Sequence, residues 1–473
     1  MQKVVKSTQI IQFLQIAKCS PNVVKFSRDV KEDFMSPSNI SAPPNWMEWT
    51  LTNRLFNINF WKIRADLNIP QVLESSVYRD LTQNDDQFDL IFTELFFGFE
   101  PLAILGHIFK VPVVTYASYG YNPDILRYIG AANGVAYLPH FELDYAGPIS
   151  LLQRLDNALI QFSVMLYNEY WFYPRHDALL AEYIPGPLPR ITDMLRNTSL
   201  YLLTSNPALR GSKLYPPNVV EISGIHFKDP SLLDEQRTDS KKGVIYFSLG
   251  TLLKASNIRK EIVQTFITVF SQLDQTILWK ADLNTPIGIS QKIMVNFGRI
   301  SAKWNYIFSL LSAHPNCVLF ITHGGVSSMM EAIKNAIPVI VVPFFADQNI
   351  NAANAQYLGY GLRLSYGNLT QQSLRWAITA VLRDPRASEV FTDKPMSSLD
   401  SAVYWIEYVI RHNGAHHLKP LTVHMPWYQL FLLDVIVIYF VAFCVILYMF
   451  KQVISFLFLR LFFVTKSSKA KVN

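Results

Sequence analysis

From about Asp89 to Pro343 the chain alternates short apolar runs with helical stretches, and this alternation most constrains what it can fold into. Runs such as "FDLIFTEL", "VPVVTYAS", "SLYLLTSN" and "VVEISGI" are apolar almost throughout, as strands are when a parallel sheet is covered on both faces. A second series, "GVIYFSLGTLL", "QTILWKAD", "CVLFITHGG", "IPVIVVPFF" and "GLRLSYG", ends with helices around Gln371 to Leu382 and Ser398 to Arg411. Between the two series, Gly224 to Gly243 is polar and without apolar rhythm, so it reads as a linker. The expected class is α/β, and 473 residues suffice for two cores, since one seldom grows beyond about 250 to 300 residues.

Half of the residues are hydrophobic and only 16% are charged, which points to a part of the chain that lives in lipid. That part is "LLDVIVIYFVAFCVILYMF", Leu432 to Phe450, uncharged after Asp434 until Lys451. At ~1.5 Å per residue such a helix spans roughly 28 Å, about one hydrocarbon core. Trp427 and Tyr428 precede it as interface aromatics, and Lys451, Arg460, Lys466, Lys469 and Lys471 follow it. The positive-inside bias then places the tail in the cytosol and the body in a lumen. Val453 to Val464 is too short to cross again and reads as interfacial. Lys469 and Lys471, close to the end, resemble a dilysine signal of the endoplasmic reticulum.

Three cysteines, one of them inside the apolar segment, cannot make a disulfide framework. Asn39, Asn197 and Asn368 begin N-x-S/T sequons that a lumenal body would expose to glycosylation. The net charge of +6 is spread along the chain and partly due to the tail, so no nucleic-acid partner is indicated. The N-terminus "MQKVVKSTQIIQFLQIAKCS" is a poor signal peptide; an amphipathic surface helix with Ile10, Ile11, Leu14 and Ala17 on one face is the better reading.

The chemistry-bearing stretch is "CVLFITHGGVSSMMEAIKNAIPVIVVPFFADQNINA", Cys317 to Ala352. In open parallel sheets ligands bind at the carboxyl ends of strands, where a following helix begins. Gly324 and Gly325 would let backbone N–H groups approach an anion there, and a helix from about Ser327 would present its positive end. His323, Ser327 and Ser328 add donors for phosphate oxygens. Glu331, one turn on, can accept from a ribose diol, and Asp347 with Gln348 follows the next strand with groups suited to a sugar's hydroxyls.

A His-Gly-Gly turn alone is weak evidence, but "THGGxxSxxE" followed by "P" and "PxxxDQxxNA" resembles the donor-binding signature of the UDP-glycosyltransferases, whose insect members are most similar in wording. The likeness runs from about Asn45 to the tail and includes "FSLGT", "LWK", "KW", "AHP" and the C-terminal anchor. It implies a GT-B fold of two facing Rossmann-like domains plus one transmembrane helix. The division expected is 1–42 unmatched, 43–240 an incomplete acceptor-side domain, 241–412 the UDP-sugar domain, 413–429 a linker, 430–451 the span and 452–473 a basic cytosolic tail.

The resemblance assigns His323, Gly325 and Ser328 to the diphosphate, with Gly250 and Thr251 closing on it, Trp304 to the uracil, Glu331 to the ribose, and Asp347 with Gln348 to the transferred sugar. No cofactor or metal is implied: UDP-sugar is a co-substrate, and no paired carboxylates are placed to chelate its diphosphate. The implied reaction is inverting transfer of a hexose, glucose foremost, to a hydroxyl of a small lipophilic acceptor at the endoplasmic reticulum membrane. Aromatic-rich segments of the first half ("WMEWTLTNRLFNINFW", "FFGFEP", "YNEYWFYP") suit such an acceptor, and a homo-oligomer is left open.

The chain departs from the family's pattern in several places. "WNYIFSLLSAHP", Trp304 to Pro315, lacks the usual Pro-Gln; Ser327 stands where asparagine is common, and Ala336 where glycine is. Glu94 matches the acidic residue that in the family orients a catalytic histidine, yet the first histidine in this chain is His107, within the apolar "AILGHIFKVP". A non-catalytic UDP-sugar-binding relative is therefore the alternative.

Overall fold

The computed structural model describes residues 3–6, 24–25, 65–66, 69–83, 88–96, 98–131, 134–227, 242–250, 258–281, 293–297, 316–383 and 395–469. The chain forms two compact units, Met1–Pro420 and Leu421–Asn473.

Among the described residues, the first unit holds two six-stranded sheets. Strands β1 (Lys3–Lys6), β2 (Val24–Lys25), β3 (Phe88–Thr93), β4 (Val113–Ala117), β5 (Leu200–Leu203) and β6 (Val219–Glu221) form the first, in the order β2-β1-β3-β4-β5-β6. Strands β7 (Val244–Ser248), β8 (Thr276–Ala281), β9 (Ile293–Phe297), β10 (Cys317–Thr322), β11 (Val339–Val341) and β12 (Gly361–Arg363) form the second, in the order β12-β11-β10-β7-β8-β9. Every pairing is parallel. All the apolar runs read as strands are strands. Leu200 to Leu203 and Val244 to Ser248 are buried along their whole length, which is why they show no polar alternation.

Three strands go beyond the sequence reading. The 1–42 segment, expected to be unmatched, contributes β1 and β2, with β1 pairing beside β3. Only Val4 and Val5 are apolar in β1, too short a run to stand out. Strand β9, "IMVNF", carries an asparagine that breaks its apolar pattern. The surface helix expected at Ile10 to Ala17, and most of the Gly224–Gly243 linker, lie outside the described residues.

The helices that matter for the site are α1 (Pro207–Arg210), α2 (Val326–Lys334) and α3 (Gln348–Leu358), while α4 (Ser398–Arg411) packs with the first sheet. The second sheet is covered on one side by an aromatic cluster in which Phe247 lies 4.5 Å from Phe266, 4.9 Å from Trp279 and 5.4 Å from Phe270 between ring centroids. The two halves share a continuous apolar cluster that includes Leu209 from the first and Ile350, Ala355 and Tyr360 from the second. The Tyr360 hydroxyl donates to the Leu209 carbonyl at 3.1 Å, and Arg363 pairs with Asp144 at 2.8 Å. Asn368, in one of the sequons, is exposed, and so is Asn197. Ala336, where the family pattern has glycine, takes the left-handed conformation that glycine adopts without strain, at φ 59°.

The second unit is dominated by α5 (Leu433–Lys469). The helix runs on past the expected span 430–451 and takes in Val453 to Val464, because no glycine or proline interrupts 433–469. Leu433–Leu457 is long and apolar enough to cross a membrane, and it is exposed, unlike the core helix of a soluble domain.

Candidate functional site

The carboxyl ends of β7, β8 and β10 meet at one point, because Ser248 pairs in register with Thr322 on one side and with Lys280 on the other. Directly after β10 the chain turns through His323, Gly324 and Gly325 into α2, which begins at Val326, one residue before the position expected. The Thr322 hydroxyl accepts from the Gly324 N–H at 3.2 Å and fixes the start of the turn.

His323 is held between two glycines. A Cβ on Gly250 would lie 2.7 Å from its Cε1 and Nε2, and one on Gly325 would lie 2.6 Å from Nε2. Gly250 also has φ +83°, so no other residue fits there without both strain and a clash. The residue is largely buried but reaches solvent, with Nδ1 3.5 Å from the Thr322 hydroxyl. Burial, followed by the nearby Lys280 ammonium, lowers the imidazole's pKa to about 4. At neutral pH His323 is therefore a neutral ring with one N–H to give, beside a cation and the positive end of a helix. Such a group suits an anion.

The remaining expected residues divide. Ser328 is buried, while Ser327 is exposed. Glu331 is 3% exposed on the inner face of α2, with its carboxylate 3.4 Å from Nε2 of His226. Asp347 and Gln348 lie at the start of α3, as their place after β11 led one to expect. The Gln348 side-chain oxygen accepts from the N–H groups of Phe344 at 2.9 Å and Phe345 at 3.3 Å, which ties the loop after β11 to the helix. Burial raises the Asp347 pKa to about 6, opposed by the Arg210 guanidinium and by a 2.6 Å hydrogen bond from Asn351. Thr251 and Trp304 lie outside the described residues.

Glu94 stands apart, at the carboxyl end of β3 in the first half. Its Oε1 accepts from the Ser118 hydroxyl at 2.7 Å and from the Ser118 N–H at 3.2 Å. Burial raises its pKa to about 7, against the lowering effect of both hydrogen bonds. His107 lies on the short helix Ile104–Phe109.

Three further residues belong to the site. Lys280, in the quoted "LWK", is the cation that acts on His323. Asn351 lies in the quoted "DQxxNA", and its i+4 spacing from Asp347 puts the two on one helix face. Asn351 also donates to the Gly324 carbonyl at 2.8 Å and so joins α3 to the turn after β10. Arg210 reaches them from the first half, and no spacing in the sequence announces it.

Comparison with known proteins gives this geometry a family. The family model described as UDP-glucoronosyl and UDP-glucosyl transferase matches residues 63–470. UDP-glycosyltransferase UGT5 of Dactylopius coccus is 32% identical over 76% of this chain and 69% of its own length. UDP-glucosyltransferase 2 of the same organism is 31% identical over 84% and 77%, and human UDP-glucuronosyltransferase 2B10 is 27% identical over 82% and 73%. Among solved structures, a glycosyltransferase of kitacinnamycin aligns at TM-score 0.53 and 16% identity over 88% of this chain and 98% of that one. A UDP-glucosyltransferase from Polygonum tinctorium aligns at TM-score 0.53 and 12% identity over 87% and 99%. These structural likenesses speak for the GT-B fold alone. The matched span and the insect relatives lead to one conclusion: the chain belongs to the UDP-glucoronosyl and UDP-glucosyl transferase family.

Proposed function

We propose that this protein transfers a hexose, glucose foremost, from a UDP-sugar to a hydroxyl of a small lipophilic acceptor, with inversion and without a metal. The observation that carries the reading is the neutral imidazole of His323, seated between Gly250 and Gly325 at the amino end of α2 with Lys280 beside it. That arrangement suits the diphosphate, together with Gly325 and the buried Ser328; Gly250 and Thr251 close over it. Glu331 takes the ribose, Trp304 the uracil, and Asp347 with Gln348 the hexose hydroxyls. At neutral pH Asp347 is mostly ionised and so accepts hydrogen bonds from them.

As the acceptor oxygen attacks the anomeric carbon, the C–O bond to UDP breaks and the acceptor's proton must leave. Glu94, whose pKa is about 7, has the basicity that a proton acceptor needs at neutral pH. UDP departs with its charge held by the turn after β10 and by Lys280. The exposed apolar helix supports a single-pass anchor, and the Lys469 and Lys471 spacing supports the endoplasmic reticulum membrane with a cytosolic tail.

One observation favours a second reading, a UDP-sugar-binding relative without turnover: among the described residues, the Glu94 carboxylate is hydrogen-bonded to Ser118 and to no imidazole. The two readings part in one experiment. Full-length protein in detergent is titrated with UDP and then incubated with UDP-glucose and a panel of lipophilic alcohols and phenols, with release of UDP as the readout. Turnover with any acceptor is the expected result. UDP binding with no release across the panel would leave only the second reading, and no UDP binding would sink both.

A further inference from the structure

We infer that Arg210 is a positioning residue for the donor sugar: it crosses from the first half of the body to hold the Asp347 carboxylate and the Asn351 amide where a hexose ring meets them. This rests on the reading of Asp347 as a sugar-binding group and adds what sets its position and charge.

Arg210 ends the one-turn helix α1, whose start is fixed by Asn206 accepting from the Ala208 N–H at 2.8 Å. Its guanidinium is 1% exposed. Taking such a cation out of water costs several kcal/mol unless it is paired, and its partners here straddle the two halves. From the first half, the Tyr119 carbonyl accepts from Nη2 at 2.7 Å, and the Tyr121 ring centroid lies 5.8 Å from Cζ. From the second, Asn351 Oδ1 accepts from Nε at 2.9 Å and from Nη2 at 2.6 Å, and Asp347 Oδ2 lies 3.5 Å from Nη2. Among the described residues, Asp347 supplies the one carboxylate within ion-pair distance of Arg210.

The chain makes room for this arrangement. Gly120 has φ +107°, and a Cβ there would overlap Nη1, which finds no hydrogen-bond partner among the described residues. Asn351 uses its oxygen for Arg210 and its Nδ2 for Asp347 at 2.6 Å, so the orientation of its amide follows from the guanidinium. The groups facing Asp347 are Arg210 from the first half, the amide of Asn351 on α3, the Val326 N–H at the start of α2 and its own N–H; Arg210 alone among these is charged. Removing the cation leaves a buried carboxylate whose neighbours are amides, and the protonated form then gains at its expense.

A residue that only clamps the two halves would affect the whole donor, whereas a positioning residue for the sugar would affect the hexose and spare the nucleotide. Full-length protein in detergent is titrated with UDP and with UDP-glucose at several pH values, as wild type, Arg210→Met and Arg210→Lys. The methionine variant should bind UDP within about 2-fold of wild type and UDP-glucose about 10-fold more weakly. The pH midpoint of UDP-glucose binding should also move upward, since the Arg210 cation lowers the Asp347 pKa. Lysine keeps the charge but not the planar fork, so it should recover part of the loss. If Arg210→Met does not accumulate as folded protein, Arg210→Lys carries the test, with a loss of several-fold expected for UDP-glucose alone. Equal weakening of UDP and UDP-glucose, or no change in either, would overturn the inference. Failure of the wild type to bind UDP would overturn it together with the donor-binding reading.

Discussion

Glu94→Gln should retain UDP binding and lose transfer, with kcat falling by roughly 10²- to 10⁴-fold, the range expected when a general base is removed. The substitution keeps the shape of the side chain and the hydrogen bond from the Ser118 hydroxyl, so the loss would be one of basicity and not of structure. The wild-type rate should climb as pH rises through about 7, where burial has placed the carboxyl's titration, and then level off. Stability should move the opposite way. The folded pKa is raised from 4.5 to about 7, so the contribution of this group is fully present below its unfolded value and is lost as pH rises through the folded one. Glutamine has no charge to desolvate, and at pH 8 the variant should therefore be more stable by on the order of 3 kcal/mol, narrowing to under about 1 kcal/mol at pH 5. Turnover against pH and thermal melts at the two pH values measure both. A variant that keeps a tenth or more of wild-type turnover, or a wild-type rate flat between pH 6 and 8, would remove Glu94 from the chemistry.

How far the sequence reaches depends on whether the relevant interactions are local. The parallel strands are legible because burial on both faces writes them as continuous apolar runs, from Phe88–Thr93 to Val339–Val341. The turn after β10 is legible because groups of the kind that suit an anion follow a strand end at short spacing, and Asn351 could have been added by asking which residue shares a helix face with Asp347. Arg210 could not. It lies far along the chain from both partners, and only the packing of α1 against α3 brings its guanidinium to Asn351 and Asp347. Strand β1 is hidden for a related reason: "KVVK" has too few apolar residues to read as a strand, and its place follows from pairing with β3.

The site joins two kinds of residue that differ in what fixes them. Lys280 and Glu331 are placed by the strand and helix that carry them, whereas His323 is placed by the absence of side chains at Gly250 and Gly325. The imidazole is therefore the part of the site most sensitive to small changes around it, which leads to the second large effect.

His323→Ala should weaken UDP binding by about 10- to 100-fold, as expected for losing a hydrogen bond to a charged group. Gly250→Ala should come close to that loss with the histidine still in place, because the new methyl would lie 2.7 Å from its Cε1 and Nε2 and the backbone would be strained at φ +83°. Gly325→Ala should cost less: its contact is as close, at 2.6 Å from Nε2, but its φ of −59° suits alanine. The decisive comparison is a double-mutant cycle. Once His323 is alanine, the atoms that the Gly250 methyl would strike are gone, so Gly250→Ala should weaken UDP binding much less in the His323→Ala background than in wild type. Gly325→Ala in that background should be nearly neutral. Strictly additive losses would mean that the glycines serve the backbone alone and that the imidazole is not what they make room for. Strong coupling, measured by calorimetric titration with UDP, would tie the two glycines and the histidine into one binding element.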